Sequence, residues 1–134
     1  MNEIMDDIVK KFRRIYIGDS LIRNLSLDFL ERRCVLLMSS VSLLKDDEKA
    51  NIFDVIERYA PAFMTFDEVK SIACPEGAFY LNATVVEFEA VAEANGDLVT
   101  FRMVMTGGYD NESFMRSLVI EAKGFSFGPA PHAK

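Results

Sequence analysis

Tryptophan is absent from this 134-residue chain, histidine occurs once and cysteine twice. The lone histidine, His132, follows Gly128-Pro129-Ala130-Pro131, a stretch that reads as a mobile tail over 129–134. Its placement argues against Ser-His-Asp triads, histidine acid–base schemes and His-rich metal sites. Zinc-ligand spacing, a phosphate-binding glycine loop and a nucleophile elbow are all missing. Cys34 and Cys74 fall in segments that read as strands. Buried free thiols in a reducing cytoplasm are the expectation, with a single disulfide as the alternative. No apolar run reaches the roughly 18–20 residues that cross a bilayer. The opening Met1-Asn2-Glu3-Ile4-Met5-Asp6-Asp7 places acids where a signal peptide carries positive charge. Together these features predict a cytoplasmic single domain over residues 1–128, without cofactor or metal.

What is present is a globular balance: half the residues are hydrophobic and 27% are charged. The net charge of −6 is uneven. Residues 1–45 carry eight bases and six acids, 46–97 three and twelve, and 98–134 four and three, giving +2, −9 and +1. Such a chain repels phosphate backbones, so nucleic acid is not an expected partner unless bases converge. Lys10, Lys11, Arg13 and Arg14, with Arg32 and Arg33, are the residues that could do so.

The pattern along the chain predicts α+β structure. Met1, Ile4, Met5, Ile8, Val9 and Phe12 recur at the spacing of one helical face, with acids early and bases late. A membrane-surface helix would share this spacing, but its acidic first turns disfavour anionic lipid and favour packing on a sheet. Gly18-Asp19-Ser20 reads as a turn. Beyond it the period becomes two, and Glu31-Arg32 as a hairpin tip sets Phe29 opposite Cys34, Leu27 opposite Leu36 and Leu25 opposite Met38. Acidic residues 46–48 followed by Ile52, Phe53, Ile56, Tyr59 and Ala60, then Pro61, predict a second amphipathic helix over 47–59. Residues 62–73 read as extended with a bend near Asp67-Glu68, and Pro75-Glu76-Gly77 as a turn.

Asn95-Gly96 is the strongest hairpin signal. As a two-residue loop it sets Ala92 opposite Val99, Ala90 opposite Phe101, Phe88 opposite Met103 and Val86 opposite Met105 on an apolar face. On the other face Glu89 meets Arg102, Val91 meets Thr100 and Glu87 meets Val104. Residues 106–113 read as a loop and 115–123 as a last strand burying Leu118, Ile120 and Ala122. The predicted fold has two amphipathic helices on five to seven mostly antiparallel strands, as a sandwich or a strongly bent sheet.

Few residues suggest chemistry. Cys34 beside Arg32 and Arg33 could act as a thiolate, yet its place on an apolar face predicts inert core. Tyr109, Asp110 and Glu112 follow Gly107-Gly108 and form the best local candidate for a ligand-contacting loop, without the spacing of a calcium loop. Glu87, Glu89 and Glu93 share a strand face and could present an acidic patch to a basic partner.

Three stretches carry a resemblance: Gly18-Asp19-Ser20-Leu21, Thr65-Phe66-Asp67-Glu68-Val69-Lys70-Ser71-Ile72, and Ser117-Leu118-Val119-Ile120-Glu121-Ala122-Lys123. The chain resembles small uncharacterised bacterial proteins with a β-sandwich-like domain, some of which are thought to act as immunity proteins. Those proteins usually carry His before the Asp-Ser turn, where this chain has Gly18. The resemblance implies a fold and no catalytic set. The functional expectation is therefore a non-enzymatic interaction protein that uses an acidic face toward a basic protein. A small-ligand pocket or carboxylate-based enzyme at Tyr109, Asp110 and Glu112, and a homo-oligomer joined through a strand edge or an apolar sheet face, are the alternatives.

Overall fold

A computed structural model describes residues 3–45, 55–78, 83–94, 96–109 and 112–131, with the backbone alone at 108–109 and 112–114. The chain opens with α1 (Glu3–Arg13), which buries Met5, Ile8, Val9 and Phe12. Ile4, expected on the same face, is exposed instead. Phe12 explains why the helix docks where it does: its ring meets Phe88, Phe101 and Phe125 edge-on, with centroids 6.1, 5.2 and 5.2 Å away. Aromatic edges and faces prefer this geometry, which adds to the burial of the ring itself.

Eleven strands follow: β1 (Ile15–Tyr16), β2 (Ile22–Asp28), β3 (Arg33–Met38), β4 (Val41–Leu44), β5 (Val55–Tyr59), β6 (Ala62–Asp67), β7 (Ser71–Ala73), β8 (Ala83–Ala92), β9 (Val99–Tyr109), β10 (Glu112–Ala122) and β11 (Gly124–Pro129). All pair antiparallel, in the orders β7-β10-β9-β8, β11-β6-β3-β2 and β1-β4-β5. The third group continues the second. Met38 opposes Ala62 and Val41 opposes Tyr59, so one register runs through a bend at Ser39-Ser40 and Ala60-Pro61. Two sheets thus form a sandwich, one of them sharply bent, and α1 lies between β8 of one sheet and β11 of the other.

At the bend the backbone leaves its ladder, and hydroxyls take over its hydrogen bonds. Ser20 Oγ donates to Ser40 O at 2.8 Å and accepts from Ser40 N at 3.1 Å. Leu21 N donates to Ser39 Oγ at 2.9 Å. Ser20 is only 1% exposed, so these bonds satisfy groups that water cannot reach. The turn that brings Ser20 there uses a positive φ of 63° at Asp19.

The structure corrects several expectations. Residues 55–59 are a strand rather than the end of a helix, because pairing with β4 captures them; the rest of the predicted 47–59 helix lies outside the described residues. One helix, not two, is found among the described residues. The described residues hold eleven strands rather than five to seven, partly because the bend separates β3 from β4 and β5 from β6. In the β2–β3 hairpin Leu25 opposes Leu36 and Leu27 opposes Cys34, two residues away from the predicted register. The loop there is four residues, 29–32, rather than the two-residue tip Glu31-Arg32. Asp28 Oδ1 accepts from Glu31 N at 3.0 Å, and Arg32 takes a φ of 54° to close the turn. Residues 106–109 and 112–113 are strand rather than loop, since Thr106 opposes Met115 and Tyr109 opposes Glu112. The last strand keeps its pairing through Pro129, and Ala130 is buried with its N–H on Pro61 O at 3.0 Å. The predicted tail is therefore part of the sheet as far as residue 130, while 132–134 lie outside the described residues.

The β8–β9 hairpin has its predicted register from Ala92–Val99 through Glu87–Val104. A bulge at Val86 then sets Val85, not Val86, opposite Met105. Asn95 lies outside the described residues. Between the sheets Phe66 and Phe101 touch edge-on at 4.9 Å, beside fully buried Leu36, Met64, Met103, Leu118 and Ile120. The two methionines of the hairpin, Met103 and Met105, are core.

Candidate functional site

Strand β8 ends its sheet. Its first residues are held by the Gly18-Asp19-Ser20 turn: Asp19 N donates to Val85 O at 2.7 Å, Val85 N donates to Ser20 O at 2.9 Å, and Leu21 bridges Thr84. From Val86 onward no strand pairs with the outer side of β8 among the described residues. That stretch exposes Val86, Glu87, Glu89 and Val91, and Glu93 is exposed just past its end. Phe88 and Ala90 turn inward, as the period of two requires. Arg102 approaches Glu89 at 3.9 Å, with both side chains about half exposed, and so offsets the acidic charge only weakly. An unpaired strand edge carrying acids and two valines can take a basic or mixed partner by strand addition or across its side chains.

Tyr109 and Glu112 are opposed at the far tip of the β9–β10 hairpin, and Asp110 lies outside the described residues. Glu87 and Glu89 lie on β8, which pairs β9 only as far as Gly107. The two candidate groups are thus separate surfaces rather than one site.

Neither cysteine forms a disulfide. Cys34 is fully buried between Leu27 and Phe66, and burial pushes its thiol up to about 11. A thiol so protonated is a poor nucleophile at neutral pH, which supports a core role over a reactive one. Cys74 is half-buried near Glu76. The Glu76 carboxylate serves the fold, accepting Ser117 N at 2.7 Å and Ser117 Oγ at 3.1 Å. It bonds this N–H of β10 beyond the end of β7, and the backbone bond holds its pKa below the ordinary range. Among the described residues no group of three or more His, Cys, Asp or Glu could hold a metal ion. None of the helices there is long and apolar enough to cross a membrane.

A further site appears only in the folded chain. The connections β2–β3, β6–β7, β8–β9 and β10–β11 all fall at one end of the sandwich. There Arg32, Glu68, Val69, Lys70, Asp97, Leu98 and Lys123 line an open cleft of about 430 Å³. Backbone bonds fix its walls: Val69 N to Arg32 O and Lys70 N to Glu121 O, each 2.8 Å, and Lys123 N to Asp67 O, 3.2 Å. Lys123 Nζ meets Asp97 Oδ2 at 2.8 Å, which lowers the carboxyl pKa and raises that of the ammonium. Behind the rim Arg33 Nε pairs with Asp67 Oδ1 at 2.7 Å. Of the bases expected to converge, only Arg32 joins this cleft. Lys11 and Arg14 bond instead to carbonyls of Phe125, Leu44 and Lys45. No local signal in the sequence marks the cleft, because its residues are scattered from position 32 to position 123.

Comparison with protein-family models, with curated proteins and with solved structures found no match to this chain.

Proposed function

We propose that the protein is a non-enzymatic binding module, immunity-like in kind, whose acidic β8 edge engages a basic protein. The observation that carries this reading is the outer stretch of β8, where Glu87 and Glu89 stand exposed beside Val86 and Val91 on an edge left unpaired by other described strands. Charge supports it, since the chain is at −6 and complementary charge accelerates and orients association. The buried, protonated Cys34 supports binding over nucleophilic chemistry.

The test is affinity capture from the native cell with the wild-type chain and with the Glu87→Lys/Glu89→Lys double variant. A specific basic protein retained by the first and lost by the second is the expected result. Capture of no specific partner, or equal capture by the charge-reversed chain, would overturn the proposal.

A further inference from the structure

The cleft at the sandwich end gathers three cations from three separate connections: Arg32, Lys70 and Lys123. Solvated surface cations ordinarily keep apart, because like charges repel. Here they line one concave space with two carboxylates, Glu68 and Asp97, leaving the lining at +1 in a chain of −6, while the Glu121 carboxyl adjoins Lys70. Asp97 contacts Lys123, whereas neither Arg32 nor Lys70 makes a side-chain hydrogen bond or salt bridge with any described residue. Asp97 is the main influence on Lys123 and raises its pKa, with Arg32 a smaller opposing one, and Lys70 adds a smaller lowering to the carboxyls of Asp97 and Glu121 beside their hydrogen-bond partners. Two lining residues also hold positive φ without being glycine, Arg32 at 54° and Glu68 at 50°. Both sit in tight connections, β2–β3 and β6–β7, and their turns shape the rim of the cleft. Leu98, 7% exposed, and Val69 supply apolar contact in the same lining. The volume of about 430 Å³ falls in the range of small-molecule sites.

We propose that this cleft binds a small polyanion, a molecule bearing two or more phosphate or carboxylate groups, held between the Arg32 guanidinium and the Lys70 ammonium. Arg32 offers a planar fork that suits either oxyanion, and Lys70 a compact charge. Lys123, already joined to Asp97, adds its field. This site lies at the sandwich end, apart from Glu87 and Glu89 on β8, and its lining carries the opposite charge.

The experiment is calorimetric titration of the full chain at low ionic strength with pyrophosphate and, separately, citrate. Measurable binding that weakens about tenfold in Arg32→Ala and in Lys70→Ala is expected, as loss of a charge-assisted contact implies. Asp97→Asn removes a competing negative charge and should tighten binding severalfold, a gain that nonspecific damage to the fold would not produce. Tighter pyrophosphate binding assigns a phosphorylated ligand, and tighter citrate binding a polycarboxylate. No binding of either probe to the folded wild type, or affinities unchanged in both alanine variants, would overturn the site.

Discussion

The two ends of the sandwich use polar side chains in opposite ways. At the bent end, Ser20, Ser39 and Ser40 satisfy one another and the backbone within 3.1 Å, and Ser20 is sealed from water. At the other end, Arg32 and Lys70 face an open cleft with no side-chain hydrogen bond or salt bridge to a described residue. Polar groups whose partners all lie inside the chain maintain the fold. Those assembled at an opening without partners are available to something else. The same division separates Glu76, committed to Ser117, from Glu87, exposed on β8.

This contrast fixes an order of mutational effects. Phe12→Ala should be the most damaging, because it empties the contact point of α1 with three other phenylalanines. A loss of about 3–5 kcal/mol in chemical denaturation is expected from comparable core truncations. Ser20→Ala should cost about 1–3 kcal/mol by the same measurement, since it removes the buried hydroxyl that accepts from Ser40 N and donates to Ser40 O. If Ser20→Ala proved neutral, the bend would not depend on its hydroxyl network. Arg32→Ala and the Glu87→Lys/Glu89→Lys pair should each shift stability by no more than about 0.5 kcal/mol, being exposed and away from the core. A large loss from either would erase the distinction between groups that serve the fold and groups that serve binding.

Titration divides the buried and committed groups further. The Cys34 thiol has a folded pKa near 11 against an ordinary value of 9.0. The unfolded chain therefore ionises first, so the contribution is fully present below pH 9.0 and is lost as pH rises toward 11. Thiol labelling at pH 8 should modify Cys74 alone until the protein unfolds. The carboxyls of Glu76, Asp97 and Glu121 are shifted down. Their contributions are present above the ordinary carboxylate range and are lost as pH falls through the lowered folded values. Glu76→Gln should flatten part of that acid-side decline in a pH series of unfolding midpoints.

How far the residues announce this architecture depends on how local the determining interaction is. The β8–β9 register is legible because Asn95-Gly96 and strict alternation point to the same pairing. In β2–β3 the alternation of apolar residues continues through Phe29, which suits a strand and so displaces the expected register by two. Phe29 and Leu30 instead sit in the loop, 87% and 89% exposed. A shift of two leaves the faces intact, so Leu25 and Leu27 still oppose Leu36 and Cys34 on one side of the sheet. At 55–59 the spacing of Ile56, Tyr59 and Ala60 suits a helix, and only pairing with Val41, Ser42, Leu43 and Leu44 decides for a strand. The acidic residues of β8 are visible as an alternating set. The cleft is not, because Arg32, Lys70, Asp97 and Lys123 meet only once four connections are folded to one end.

Whether the β8 edge is the binding surface can be decided by hydrogen exchange of the chain alone and with its captured basic partner. Added protection of amides in 86–92, on the acidic edge of β8, is the expected result. Protection confined to other strands, with 86–92 exchanging unchanged, would contradict that assignment.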